Sequence, residues 1–240
     1  MKALIDRLHA RLGDFWWYSL LMFAALRFGD VVNAYVGLFL VPKYVGQEDL
    51  GAVLPLTQFA TSVGAPMTVL VLVFSKFLNK FKTLGEDGKI KSMLHWFIGM
   101  AVAIVLVSSA ASLIILPHFF ERLSVTSGSL TVLIIATGLL TTTAPVFTNA
   151  LQGLKRFNTI SIINIFTAPI RLAVMLIAMP FRALSGYMLG QLSVPAFQIF
   201  ASLFALRKEM GKNIVAKPFW REDGRDIARF AIPLTICNII

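Results

Sequence analysis

Arg27 and Asp30 carry the strongest chemical suggestion in the chain, because they interrupt a long apolar stretch at Leu26-Arg27-Phe28-Gly29-Asp30-Val31. Three residues apart, they share one helix face, and Asn33 lies three further along it. A charged side chain at the centre of a bilayer costs roughly 2.5–3.5 kcal/mol, so such residues normally face a cavity or a partner. Two readings fit. In one, Arg27 and Asp30 pair internally and pin their helix against a neighbour. In the other, the Arg27 guanidinium grips phosphate oxygens bidentately, while Asp30, with Asn33 beside it, holds a proton or cation that is exchanged during transport. The two roles suit different steps of one cycle.

Arg171 is the second intramembrane cation. It follows Pro169 by two residues, where proline removes a backbone donor and tends to kink a helix, and a charge beside a kink can mark helix that lines a cavity. It is a candidate substrate-binding residue, with a carbonyl or the outer surface as its alternative partner. Thr141-Thr142-Thr143, Asn149, Gln152, Asn158 and Asn164 read as helix-to-helix hydrogen-bonding groups, and Gly186-xxx-Gly190 as a close-packing motif. Pro55, Pro66, Pro145, Pro195 and Pro233 also interrupt apolar runs. Lone His95, near a span end, and His118, placed in a loop, offer no metal-ligand spacing, and the single cysteine, Cys237, excludes an internal disulfide or a CxxC pair. No catalytic residue, metal site or cofactor is expected.

Lipid-spanning helices must position these residues. Of the 240 residues, 57% are hydrophobic and only 14% charged, against roughly a quarter in soluble domains; the mean hydropathy is +0.77. A span needs roughly 20 apolar residues. Six segments qualify, at 17–41, 53–75, 93–116, 130–151, 158–181 and 183–206, and a seventh apolar run from about Ile227 to Ile240 reads as the start of a helix cut short. Their apolar residues do not alternate, which argues against barrel strands. The fold expected is therefore all-α, a polytopic membrane helix bundle. Its parts are an amphipathic interfacial helix at 1–14, a six-helix lobe at 15–206, a basic linker at 207–225 and the beginning of the seventh helix at 226–240. Trp16, Trp17 and Tyr18 would mark the water–lipid boundary.

A net charge of +10 could also fit a nucleic-acid binder. Its distribution argues otherwise: 17 of the 22 Lys and Arg flank the spans on one side, three (Lys43, Arg122 and Arg182) on the other, and Arg27 and Arg171 lie within spans. By the positive-inside rule the rich side is cytoplasmic, which puts the N-terminus and the tail after the sixth span on the cytoplasmic face of a cytoplasmic (inner) membrane. The expected partner is the lipid bilayer and not nucleic acid. The stretch Thr83-Leu84-Gly85-Glu86-Asp87-Gly88-Lys89 reads as a solvated turn without P-loop spacing. No connection is long enough for a soluble catalytic domain.

Three stretches resemble the polysaccharide transporter family, the lipid-linked oligosaccharide flippases of the multidrug/oligosaccharidyl-lipid/polysaccharide exporter superfamily. They are the first span leading into Leu40-Val41-Pro42-Lys43-Tyr44-Val45-Gly46-Gln47-Glu48-Asp49-Leu50-Gly51, the turn Ala150-Leu151-Gln152-Gly153-Leu154-Lys155-Arg156-Phe157, and Ile163-Asn164-Ile165-Phe166-Thr167-Ala168-Pro169-Ile170-Arg171-Leu172. The resemblance implies two six-helix lobes around a cavity that opens alternately to each membrane face, this chain supplying the N-lobe and the start of the next, with a C-terminal lobe as its missing partner. It further implies outward movement of a polyprenyl-diphosphate-linked oligosaccharide, with Arg27 matching a basic helix-one residue that meets the diphosphate.

Two other functions compete. A multidrug or cation exporter of the same superfamily would prefer a net negative cavity, whereas the spans here hold two Arg and one Asp. A polyprenyl-sugar membrane glycosyltransferase would need carboxylates at the membrane face, and Glu48-Asp49, the sole outer pair, reads more simply as a hydrated turn. A transporter, not an enzyme, is the expectation.

Overall fold

The computed structural model describes residues 19–46 except 21 and 25, 49–51, 55, 58, 65–122, 128–210 and 217–239. The 1–14 helix, the aromatic group at 16–18 and much of the 53–75 span therefore lie outside the described residues. Among those described there is no strand. The helices are α1 (Met22–Tyr44), α2 (Ala65–Leu84), α3 (Asp87–Arg122), α4 (Gly128–Gly153), α5 (Phe157–Ala178), α6 (Ala183–Met210) and α7 (Trp220–Ile239). Five stretches are long and apolar enough to cross a membrane: Met22–Tyr44, Asp87–Val107, Ser129–Gly153, Phe157–Ala178 and Ala183–Arg207. Leu38, Leu106, Val107, Ile177, Phe200 and Phe204 are each more than 60% exposed. Side chains this apolar turned outward on several helices are what a lipid-facing surface requires.

Several boundaries differ from the sequence reading. The turn read at Thr83–Lys89 is exposed at Thr83–Gly85 but shorter than expected: α2 continues to Leu84 and α3 starts at Asp87, leaving Gly85 and Glu86 to reverse the chain. Gly85 adopts φ +72°, a left-handed conformation open to glycine without steric cost. Helical hydrogen bonding thus persists beyond the apolar run because the α2–α3 hairpin is buried on Phe77, Leu78, Phe81, Ile90, Met93 and Leu94. His118 stands on α3, not in a loop, and α7 begins at Trp220, seven residues before the apolar run, so helix occupies much of the supposed 207–225 linker.

Helix α1 carries a π-helical turn at Val36–Leu40, with the Val41 N–H donating to the Val36 carbonyl. Pro42 follows immediately. Its missing N–H and its ring make regular i→i−4 bonding impossible there, and a wider turn accommodates both. On the inward stripe of α1, Val32, Val36 and Leu40 pack on Ala168 and Met175 of α5 and on Met179 just past its end.

Close backbone approach holds α5, α6, α4 and α2 together. A Cβ at Gly186 would lie 2.5 Å from the Met179 nitrogen, and one at Gly190 2.2 Å from Met175 Cγ, so the Gly186-xxx-Gly190 motif seats α6 directly on the end of α5. At the other end of the bundle, Gly153 meets Leu78 of α2. Lys155, at φ 58°, takes the left-handed position that usually ends a helix, and Arg156 Nη1 donates to the Ala205 carbonyl of α6 at 3.0 Å. The ends of α2, α4 and α6 and the starts of α3, α5 and α7, which carry Lys82, Lys89, Lys91 and Arg207, with Lys155, Arg156 and Lys217 beside them, therefore gather at one end. Tyr44, Ala183 and Leu184 meet at the opposite end, together with the turn carrying Arg182.

Candidate functional site

The α1–α5 seam brings the candidate residues together as two pairs. Arg27 Nη1 lies 3.3 Å from Asp30 Oδ2, with both side chains about two-thirds exposed, and the guanidinium sits 5.0 Å from the Phe23 ring centroid. The i,i+3 spacing thus produces the ion pair anticipated from the sequence. One helical turn on, Asn33 Oδ1 accepts a hydrogen bond from Arg171 Nη1. Val32 and Val36 beside Asn33, and Ala168 and Met175 on either side of Arg171, are buried against each other, which fixes the two backbones at a reach that an arginine can bridge.

The two guanidiniums differ in their surroundings. Arg27 has a carboxylate and an aromatic face. Arg171 has no carboxylate partner among the described residues, and its Nε is buried without a hydrogen-bond partner. It stands 14 residues into α5, about 21 Å along an axis that must cross about 30 Å of hydrocarbon. A fork of N–H groups with part of its hydrogen-bonding capacity unmet can bind a planar or tetrahedral oxyanion; it cannot coordinate a cation. Asn33 Oδ1, engaged by Arg171, has one of its two acceptor positions taken.

A second charged cluster, at the cation-rich end, escaped the sequence reading. Asp223, on the first turn of α7, accepts from Lys80 Nζ of α2 at 2.7 Å and from Lys89 Nζ of α3 at 3.0 Å, and Lys89 also lies 3.3 Å from Glu86. The Lys217 N–H donates to the Gly88 carbonyl at 3.2 Å. Aromatic packing covers the join: the Trp96 ring meets Phe219 and Trp220 edge-on at 6.2 and 4.6 Å, and Lys76 Nζ sits 3.4 Å from the Phe230 centroid. Burial raises the Asp223 carboxyl, but the Lys80 and Lys89 hydrogen bonds and charges outweigh it and hold the group below the usual carboxylate range. The available signal was the run Trp220–Phe230, where acidic and basic residues are mixed between two aromatics. His95 Nδ1 lies 2.8 Å from the Lys91 carbonyl of its own helix.

No protein-family model matches the chain, and no curated protein sequence matches it. Among solved structures, the chain is similar to a multidrug resistance MATE family transporter of the MOP superfamily in an outward-facing conformation, with a TM-score of 0.58 and 16% identity over 92% of this chain and 51% of that one. The chain thus spans about half the length of that transporter. At this identity the likeness speaks to the course of the backbone and not to side chains, and together with the apolar helices it leads to one conclusion: the chain is a multi-pass membrane helix bundle with the fold of one half of a MATE-type transporter.

Proposed function

We propose that the chain is the N-terminal lobe of an alternating-access membrane exporter that moves a polyprenyl-diphosphate-linked oligosaccharide outward across the cytoplasmic membrane, its cation-rich end facing the cytoplasm. One observation carries the choice of substrate: Arg171, inside a span, has a buried Nε without a partner and only the neutral Asn33 amide on Nη1. Holding a cation there is costly unless something anionic visits, and a diphosphate supplies both the charge and the acceptor oxygens. Arg27, exposed on α1 and paired with Asp30, would be a second contact for the same group. When the diphosphate takes Arg27, Asp30 is released from its counter-charge and becomes able to hold a proton or cation, which couples substrate occupancy to ion binding.

A multidrug exporter is the second reading, favoured by the exposed Asp30 carboxylate and by the multidrug transporter that shares the fold. Transport by the full-length protein in liposomes separates the two. Movement of a polyprenyl-diphosphate sugar, lost in Arg171→Ala, supports the flippase; extrusion of an organic-cation dye, lost in Asp30→Asn and indifferent to Arg171→Ala, replaces it with the exporter.

A further inference from the structure

A cavity of about 200 Å3 opens near the cation-rich end, lined by Met22 of α1, Thr148 and Gln152 of α4, Phe157, Ile160 and Asn164 of α5, and Gln198 of α6. Three of these residues carry carboxamides, and none of the three side-chain amides has a hydrogen-bond partner among the described residues. Polar groups on membrane helices ordinarily bond to a neighbour, because lipid offers no alternative. Neighbouring polar groups here do: Asn149 Nδ2 donates to the Pro145 carbonyl at 2.9 Å, and the Thr148 hydroxyl lies 3.3 Å from the same carbonyl. Among the described residues, Gln152, Asn164 and Gln198 leave their side-chain donors and acceptors open to the cavity.

We infer that this cavity is the sugar-binding subsite of the exporter, taking a neutral, hydroxyl-rich ring; the inference rests on the flippase reading above. A carboxamide offers two N–H donors and a carbonyl acceptor, which matches a sugar hydroxyl that both gives and receives hydrogen bonds. Phe157 and Ile160 supply an apolar wall for the C–H face of the ring. No charged residue lines the cavity, so it suits neither a phosphate nor an organic cation.

Its position fits one substrate held at two points. Asn164, Ala168, Arg171 and Met175 follow one stripe of α5, and Ala168 and Met175 on it pack against α1. Asn164 therefore lies seven residues, about 10 Å, from Arg171 along the seam that Met22 and Asn33 border on the α1 side. A sugar in the cavity would leave its diphosphate directed along that seam toward the guanidiniums.

Binding to the full-length protein in nanodiscs tests this, using polyprenyl diphosphate with and without an attached disaccharide. The wild type should bind the glycosylated lipid about ten-fold or more tightly than the bare one, and Asn164→Leu with Gln198→Met should remove that difference while leaving affinity for the bare lipid unchanged. Gln152→Trp, at an exposed rim position, should do the same by filling the space, and it decides the matter if the double variant fails to fold. Equal wild-type binding of both lipids, or a sugar preference that survives in Gln152→Trp, overturns the subsite and leaves the diphosphate reading in place. Binding of neither lipid, with an organic cation bound instead, overturns the flippase reading and the subsite with it.

Discussion

Asp223 at the cation-rich end meets two ammonium groups at 2.7 and 3.0 Å, whereas Arg171 inside its span has, among the described residues, a single hydrogen bond, to the neutral amide of Asn33. Both regions join distant parts of the chain, and both partly bury charge. One sets opposite charges against each other, with both Asp223 carboxylate oxygens met even though Glu86 Oε2 beside them is buried without a partner; the other leaves a guanidinium nitrogen unmatched and no carboxylate near it among the described residues. The matched cluster behaves as a fastener that holds α7 on the α2–α3 hairpin. The unmatched one is a poor fastener, and its shortfall is intelligible if a ligand completes it. Neutralisation by opposite charge is thus the difference between the two regions: Lys80, Lys89 and Asp223 offset one another, and Arg171 has no carboxylate partner among the described residues.

Removing one partner should hurt the matched region most. Asp223→Ala takes from Lys89, whose side chain is 10% exposed, its carboxylate partner at 3.0 Å, and breaking a buried pair typically costs 3–5 kcal/mol. Lys80 is 42% exposed and well hydrated, so about 3 kcal/mol is expected, seen as a lower thermal unfolding midpoint in detergent. An unchanged midpoint would dissolve the comparison, because the latch would then be no fastener at all.

Arg171→Met reverses the pattern. Its stability should change by less than about 1 kcal/mol, since a single bond to a neutral amide is lost together with a poorly solvated charge. Transport of the diphosphate lipid should fall 10- to 100-fold, the equivalent of about 1.5–3 kcal/mol for a charge-assisted hydrogen bond. A variant that unfolds, or one that transports normally, places Arg171 with the fasteners. Arg27→Ala should be milder still in stability, within about 0.5 kcal/mol, because its pair with Asp30 is mostly hydrated. The unfolding midpoint checks this, and a drop in transport alongside it would assign Arg27 to the substrate.

The two regions were unequally legible in the sequence. The spans could be read because lipid leaves a chain no alternative to long apolar helices, and the Arg27–Asp30 pair because i,i+3 geometry is local. The Asn33–Arg171 bond connects residues 138 apart, and nothing in either neighbourhood names the other. Lys76, Lys80 and Lys89 read as loop anchors because their number, and not their placement, determines orientation; that they stand on helices became visible only once α2 and α3 were seen to run to within two residues of each other. The Gln152, Asn164 and Gln198 amides looked like ordinary interhelical glue or passed unremarked, since sequence cannot show that a polar group lacks a partner.

The smallest expected effect is the sharpest discriminator. Asp223 has its folded pKa depressed below the usual carboxylate value of about 3.9, so its contribution is fully present above that value and is lost only as pH falls through the lower folded value. Between pH 8 and 5 the latch should therefore contribute nothing to any change in the unfolding midpoint: the midpoint difference between wild type and Asp223→Asn should stay constant across that window and shrink only in stronger acid. Transport measured over the same window then reports on groups elsewhere. If it changes with pH while the midpoint difference does not, and the change disappears in Asp30→Asn, the proton belongs to the α1 site. A midpoint difference that already narrows near pH 6 would mean that Asp223 is not held ionised by Lys80 and Lys89, and the contrast between a matched and an unmatched region would fail at its matched end.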